Sequence, residues 1–142
     1  MNILSQRFPF GAMLTGAQEV PPVTTTGVGV SGISFDPALT TLRVVTAVGQ
    51  INQVTAAHIH LGRPGQNGPI VAFLFGPSAP TNFGPVTILS DRVITAINLT
   101  GPLMGMSLSA LIQQIIAGNA YVNVHTVRNP NGEIRGQIVR LQ

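Results

Sequence analysis

The chain has no cysteine and no lysine, and charge of either sign is scarce. Without cysteine there is no disulfide framework and no thiolate metal site, and the redox compartment is not readable. Charged residues make up 8% of the sequence, against roughly 25% in an average soluble domain. The seven basic residues are all arginine (Arg7, Arg43, Arg63, Arg92, Arg128, Arg135 and Arg140), and the acids are only Glu19, Asp36, Asp91 and Glu133. The net charge of +3 therefore reflects few acids, not a basic patch. No segment interleaves aromatics with arginine, so nucleic acid is a poor partner. No apolar run approaches the roughly 20 residues of a membrane-spanning helix, which argues against membrane insertion. Met1 to Phe10 has no apolar core of the secretory-signal kind. A surface of Thr, Asn, Gln, Ser and Gly repels its own copies weakly. That composition suits a packed coat or filament, and equally a neutral thermostable or secreted domain.

What is abundant is punctuation. Sixteen glycines and eleven prolines divide 142 residues into short segments, which favours many strands over long helices. The length fits one domain able to bury its own core. We divide it into an N-terminal arm, residues 1–8, and a single domain, residues 9–142.

Phe8 to Leu14 reads as a strand, and Val20-Pro21-Pro22-Val23 as a stiff extended connection. Gly27 to Phe35 is a second strand. In Thr41 to Val48, Leu42, Val44, Thr46 and Val48 share one face. Val54 to Leu61 and Ile70 to Phe75 are strands on either side of the turn-rich Gly62 to Pro69. Ser78 to Gly84 reads as loop, and Val86 to Leu89 and Val93 to Leu99 as two strands around Ser90-Asp91-Arg92. Leu108, Leu111, Ile112 and Ile115 form the stripe of one helix, with Ser107 placed to cap it and Gly118 to end it. Ala120 to Thr126 and Glu133 to Leu141 close the pattern. The expectation is an all-β, Greek-key β-sandwich of about eight strands with one short helix near 107–117.

Only three histidines exist. His58 and His60 are two apart on a strand, so both imidazoles lie on one face and Ile59 on the other. His125 ends a strand on which Tyr121, Asn123 and His125 share a face. Two readings are open: a three-nitrogen copper or zinc site, formed if the strands are neighbours, or histidines that hydrogen-bond loop backbone and hold the turns. The remaining polar groups read as structural. Glu19 suits loop N–H groups or an arginine, and Glu133 and Arg135 suit a strand-end ion pair. Asp36 and Asp91 sit in turn sequences. No Ser-His-Asp set or paired-carboxylate arrangement is found, so an enzyme is not expected.

Three segments together carry a family resemblance: Leu14-Thr15-Gly16-Ala17-Gln18-Glu19-Val20-Pro21-Pro22-Val23; Ala57-His58-Ile59-His60-Leu61-Gly62 with Asn67-Gly68-Pro69-Ile70-Val71; and Gly118 to Thr126 with Pro130 to Ile138. In order and spacing they resemble the chordin-type (CHRD) domain, from Phe8 to Leu141. That resemblance implies an extracellular or cell- or spore-surface module without assigned catalysis. It also implies a secreted protein partner, as in chordin, by fold-level analogy alone. A looser resemblance is to copper-zinc superoxide dismutase. It implies copper ligands at His58, His60 and His125, while the bridging histidine, the other zinc ligands and the disulfide cysteines have no counterpart. The functional expectation is a non-enzymatic surface module that self-assembles with copies of itself as a coat or filament subunit. The alternatives are a copper-binding module and a domain that binds a secreted protein ligand.

Overall fold

The computed structural model describes residues 8–142, so most of the expected N-terminal arm, residues 1–7, lies outside the described residues. The described chain forms ten strands: β1 (Phe10–Leu14), β2 (Val28–Phe35), β3 (Leu42–Gly49), β4 (Ile51–Leu61), β5 (Ile70–Phe75), β6 (Thr81–Phe83), β7 (Thr87–Ile94), β8 (Ala120–Thr126), β9 (Ile134–Gln137) and β10 (Val139–Arg140). A helix, α1 (Leu108–Ile116), precedes β8. The strands build two antiparallel sheets. Sheet A has the order β10-β1-β2-β3-β7; sheet B has the order β5-β4-β8-β9, with β6 also paired to β4. The all-β sandwich expectation holds.

Period-two alternation sets the layers. Phe10, Ala12 and Leu14 of β1, Ile33 of β2 and Leu42, Val44 and Val48 of β3 point inward from sheet A; Ala57, Ile59, Val122, Val124 and Ile134 meet them from sheet B, in one core cluster. Each fully buried aliphatic side chain there contributes roughly 1.5–3 kcal/mol of transfer free energy. The α1 stripe of Leu108, Leu111, Ile112 and Ile115 joins the same cluster. Ser107 is the N-cap residue, but its hydroxyl makes no cap bond and pairs with Ser109 Oγ at 2.8 Å. Gly118, at φ 78°, takes the left-handed turn that stops the helix.

Four local expectations are corrected. Residues 78–84 contain the short strand β6. Val86 to Leu99 holds one strand, β7, and a 3-10 turn at Ala96–Asn98, with a second 3-10 turn after it at Gly101–Leu103. Ser90-Asp91-Arg92 does not break it, because Asp91 accepts two bonds from Arg43 of β3, at 2.8 and 3.0 Å, on the outward side; Asp91 is thus a strand residue and not a turn residue. The irregularity is absorbed as a bulge at Leu89, where the register steps from Thr46–Ser90 to Ala47–Ile88. The closing segment is two strands: β9 belongs to sheet B and β10 crosses to pair with β1 of sheet A. Finally, β4 begins at Ile51, earlier than the polar Asn52-Gln53 suggests. Gln50 (φ 52°) turns the chain from sheet A to sheet B in one residue, and Gln53 (φ 56°) lies in the irregularity of the β4–β6 pairing between Ile51 and Val54.

Candidate metal centre

The outward face of sheet B is polar but not solvated. β4 and β8 are antiparallel neighbours with His58 opposite Asn123, His60 opposite Tyr121 and Ala56 opposite His125. Since Ile59, Val122 and Val124 fill the core, the alternate positions place His58, His60, Tyr121, Asn123 and His125 together on the other face. Loops roof this face, and the three histidines are only 6%, 7% and 9% exposed.

The rings converge. The centroid of His58 is 4.7 Å from that of His125 and 5.6 Å from that of His60. One ring nitrogen from each histidine can be chosen so that all three lie within 4.8 Å of one another. Nitrogens bound to one ion at 2.0–2.1 Å stand roughly 3.5 Å apart, so side-chain rotation of about an ångström closes the set.

Hydrogen bonding fixes which nitrogens are available. His60 Nδ1 donates to Gly68 O at 2.9 Å, and His125 Nδ1 donates to Pro130 O at 3.0 Å. A carbonyl only accepts, so the proton sits on Nδ1 and the lone pair on Nε2. Nε2 of both rings, and Nδ1 of His58, are buried without a hydrogen-bond partner. Backbone carbonyls orient metal-ligating imidazoles in this way. The two readings of the histidines are therefore not alternatives: the loop bond to Nδ1 of His60 and of His125 leaves the other ring nitrogen without a hydrogen-bond partner and able to serve as a ligand. Protonation does not compete at neutral pH. Burial, reinforced by the neighbouring His125 and His60, lowers His58 to about 3. Burial lowers His60 to about 4, against the opposing bond to Gly68, and lowers His125 against the bond to Pro130. Three neutral imidazoles are the ligand state.

Glu133 and Arg135 do not form the expected ion pair; each holds one roof loop. Arg135 Nη2 donates to Arg63 O at 3.0 Å and Gln66 O at 2.8 Å, and its guanidinium lies 3.5 Å from the centroid of the Tyr121 ring. That ring stacks on His60 at 4.9 Å, and its hydroxyl accepts from Gly68 N at 3.0 Å. Arg135 thus positions the loop whose carbonyl orients His60. Glu133 accepts from Thr25 Oγ1 at 2.7 Å, Thr126 Oγ1 at 2.8 Å and Asn129 Nδ2 at 3.0 Å, fastening the loop whose carbonyl orients His125. Glu19 is buried beside them and accepts from Asn123 Nδ2. Burial raises its carboxyl to about 7, against the lowering effects of Asn123 and the Arg135 charge. Asp36 is a turn residue as expected, accepting from the Thr40 and Thr41 backbone N–H groups.

Sequence reasoning found the three histidines but missed Tyr121, Gly68 and Pro130 as the groups that orient them. The only available signal was the period-two placement of Tyr121 beside Asn123 and His125. A loop carbonyl carries no side-chain signature at all.

A family model described as the CHRD domain matches residues 10–138. No curated protein and no solved structure gives a match. The finding supports the chordin-type resemblance and adds nothing to the dismutase-like one.

Proposed function

The chain belongs to the CHRD domain family, typical of secreted or extracellular proteins, and from that premise we propose that it is a non-catalytic copper-binding module of that setting, with His58, His60 and His125 as ligands. The observation that carries the reading is the set of three buried ring nitrogens without partners, drawn from two adjacent strands. A buried polar atom left unpaired costs about 1–3 kcal/mol, and three in one place call for a ligand. The donor set is all imidazole. Imidazole suits copper and zinc, and the Irving–Williams order favours Cu(II) among the divalent ions.

The non-catalytic part is supported by the carboxylates. All four are engaged: Glu19 by Asn123, Asp36 by Thr40 and Thr41, Asp91 by Arg43, and Glu133 by Thr25, Thr126 and Asn129. Titration with Cu(II), followed by electron paramagnetic resonance, tests the site. The expected result is one copper per chain with nitrogen hyperfine structure, lost in the His58→Ala/His60→Ala double variant. Unchanged affinity in that variant overturns the reading.

A second reading, a self-assembling subunit of a coat or filament, is favoured by a specific observation. β7 is an edge strand of eight residues, and Val86, Ile88 and Val93 in and beside it are all more than half exposed. Long apolar edges invite pairing with another chain. Sedimentation velocity over a concentration series tests it; a monomer at all concentrations overturns it.

A further inference from the structure

The outward face of sheet A differs from the usual solvated face of an antiparallel sheet, which alternates apolar-in with polar-out. On β2, Gly29, Ser31 and Ile33 are buried, so Val28, Val30, Gly32 and Ser34 point out. On β3, Arg43, Val45, Ala47 and Gly49 point out, opposite buried Leu42, Val44, Thr46 and Val48. The register lines these positions up across the sheet. One row runs Met13, Val30, Ala47, Ile88, and the next runs Val139, Gly11, Gly32, Val45, Asp91.

The row ends are open: Met13 is 66% exposed, Ile88 56%, Val93 55% and Val139 51%. Val86 extends the patch by packing against Gly49, and the Phe8 ring lies on Gly32, where any Cβ would collide with it. Among the described residues the charged side chains of the face are Arg43 and Asp91, which neutralise each other. An exposed apolar surface of this extent marks an interaction site.

We propose that this face is a self-association surface on which two copies pack sheet A against sheet A; the proposal rests on the self-assembly reading and names its interface. Three features select a second copy as the occupant. The face has no net charge among the described residues, so two of them approach without repulsion. The Arg43–Asp91 pair is self-complementary, because a two-fold axis can set Arg43 of one copy beside Asp91 of the other. The area also suffices. The five strands of sheet A hold 31 residues; at about 3.4 Å per residue along strands about 4.8 Å apart they give a face of roughly 500 Å² in projection, and two such faces bury roughly 1,000 Å², the lower bound for a specific interface. The sheets would stand about 10 Å apart, as in a sandwich core.

The test is sedimentation velocity of the full chain over a concentration series, beside a Met13→Glu/Ile88→Glu variant. Both positions are exposed, so the variant should keep the wild-type melting temperature and copper titration. The expected result is a concentration-dependent dimer for wild type and at least tenfold weaker association for the variant. Equal association of the two overturns the proposal while leaving self-assembly through another surface, such as the β7 edge. A wild-type monomer at all concentrations overturns both. If the full chain is monomeric but deletion of residues 1–7 makes it dimerise, the face is covered by the chain's own start and the proposal falls. Partition onto phosphatidylcholine vesicles in place of dimerisation also overturns it.

Discussion

Replacing His58 by leucine should make the metal-free protein more stable, and more stable than the same change at His60 or His125. The difference lies in Nδ1. In His60 and His125 this nitrogen donates to Gly68 O and Pro130 O; in His58 it is buried and unpaired. Removing an unsatisfied buried polar atom recovers about 1–3 kcal/mol. Against this stands the edge-on contact of His58 with Phe73, centroids 4.6 Å apart, worth about 0.5–1.5 kcal/mol. The net expectation is a gain of roughly 1 kcal/mol, or about 3 °C in melting temperature for a chain of this size. His60→Leu and His125→Leu each remove a buried unpaired Nε2 as well, but they also delete a bond and strip a carbonyl of its donor, which offsets that recovery and leaves each about 1–2 kcal/mol less stable than His58→Leu. The assay is differential scanning calorimetry at pH 7.5 in EDTA, then with Cu(II). At a hundredfold excess of free Cu(II) over Kd, wild type should gain about 2.7 kcal/mol, and none of the three variants should. A His58→Leu protein no more stable than the other two would show that His58 Nδ1 is satisfied, and would remove the main physical argument for a ligand at the site.

Four further outcomes follow from the site. The histidines titrate in the unfolded chain near 6.5 but are held neutral in the fold, His58 down to about 3 and His60 to about 4. The unfolded state therefore binds more protons, and stability in EDTA, full above pH 6.5, should fall as pH drops from there toward 3. Glu19 has the opposite sign: raised from 4.5 to about 7, it stabilises below pH 4.5 and that contribution is lost as pH rises through 7. Glu19→Gln should thus exceed wild type in denaturant midpoint at pH 8 and match it near pH 4. Gly132→Ala should lower stability by roughly 1–3 kcal/mol in urea unfolding, because Gly132 sits at φ 122° with its Cβ position against Asn123 and Glu19. Arg135→Lys loses the fork on the Arg63 and Gln66 carbonyls and the contact with Tyr121. Copper affinity by calorimetric titration should fall roughly 10–100-fold, as for outer groups that orient a ligand.

The layers of the sandwich were legible because burial on one face imposes period two: β3, β5 and β8 were found within a residue or two of their bounds, and α1 by its stripe. Errors fell where polarity and position disagree. Asp91 looks like a turn residue until Arg43 is known to stand across from it. Asn52-Gln53 looks like loop because its left-handed Gln53 breaks the alternation that identifies a strand. At the site, the histidine faces followed from spacing, but convergence depended on β4 and β8 being neighbours, a pairing 65 residues apart along the chain from His60 to His125. The roles of Glu133 and Arg135 were misread because two residues of opposite charge, two positions apart, suggest each other as partners; the loops that engage them are set by tertiary structure.

The crossing of β10 from one sheet to the other has a mechanical consequence. Phe10 stands opposite Arg140, and Gly11 opposite Val139, in antiparallel register. The domain's first and last strands therefore leave it side by side from the same edge. A tensile load applied through the two ends would open this ladder like a zipper, one bond after another, and not shear many bonds at once. After β10 peels away, β1 remains held by β2, and the histidine strands β4 and β8 lie in the other sheet, outside the initial line of force. In a tethered surface layer, this closure would yield first and act as a fuse, while the three-histidine cluster keeps its geometry.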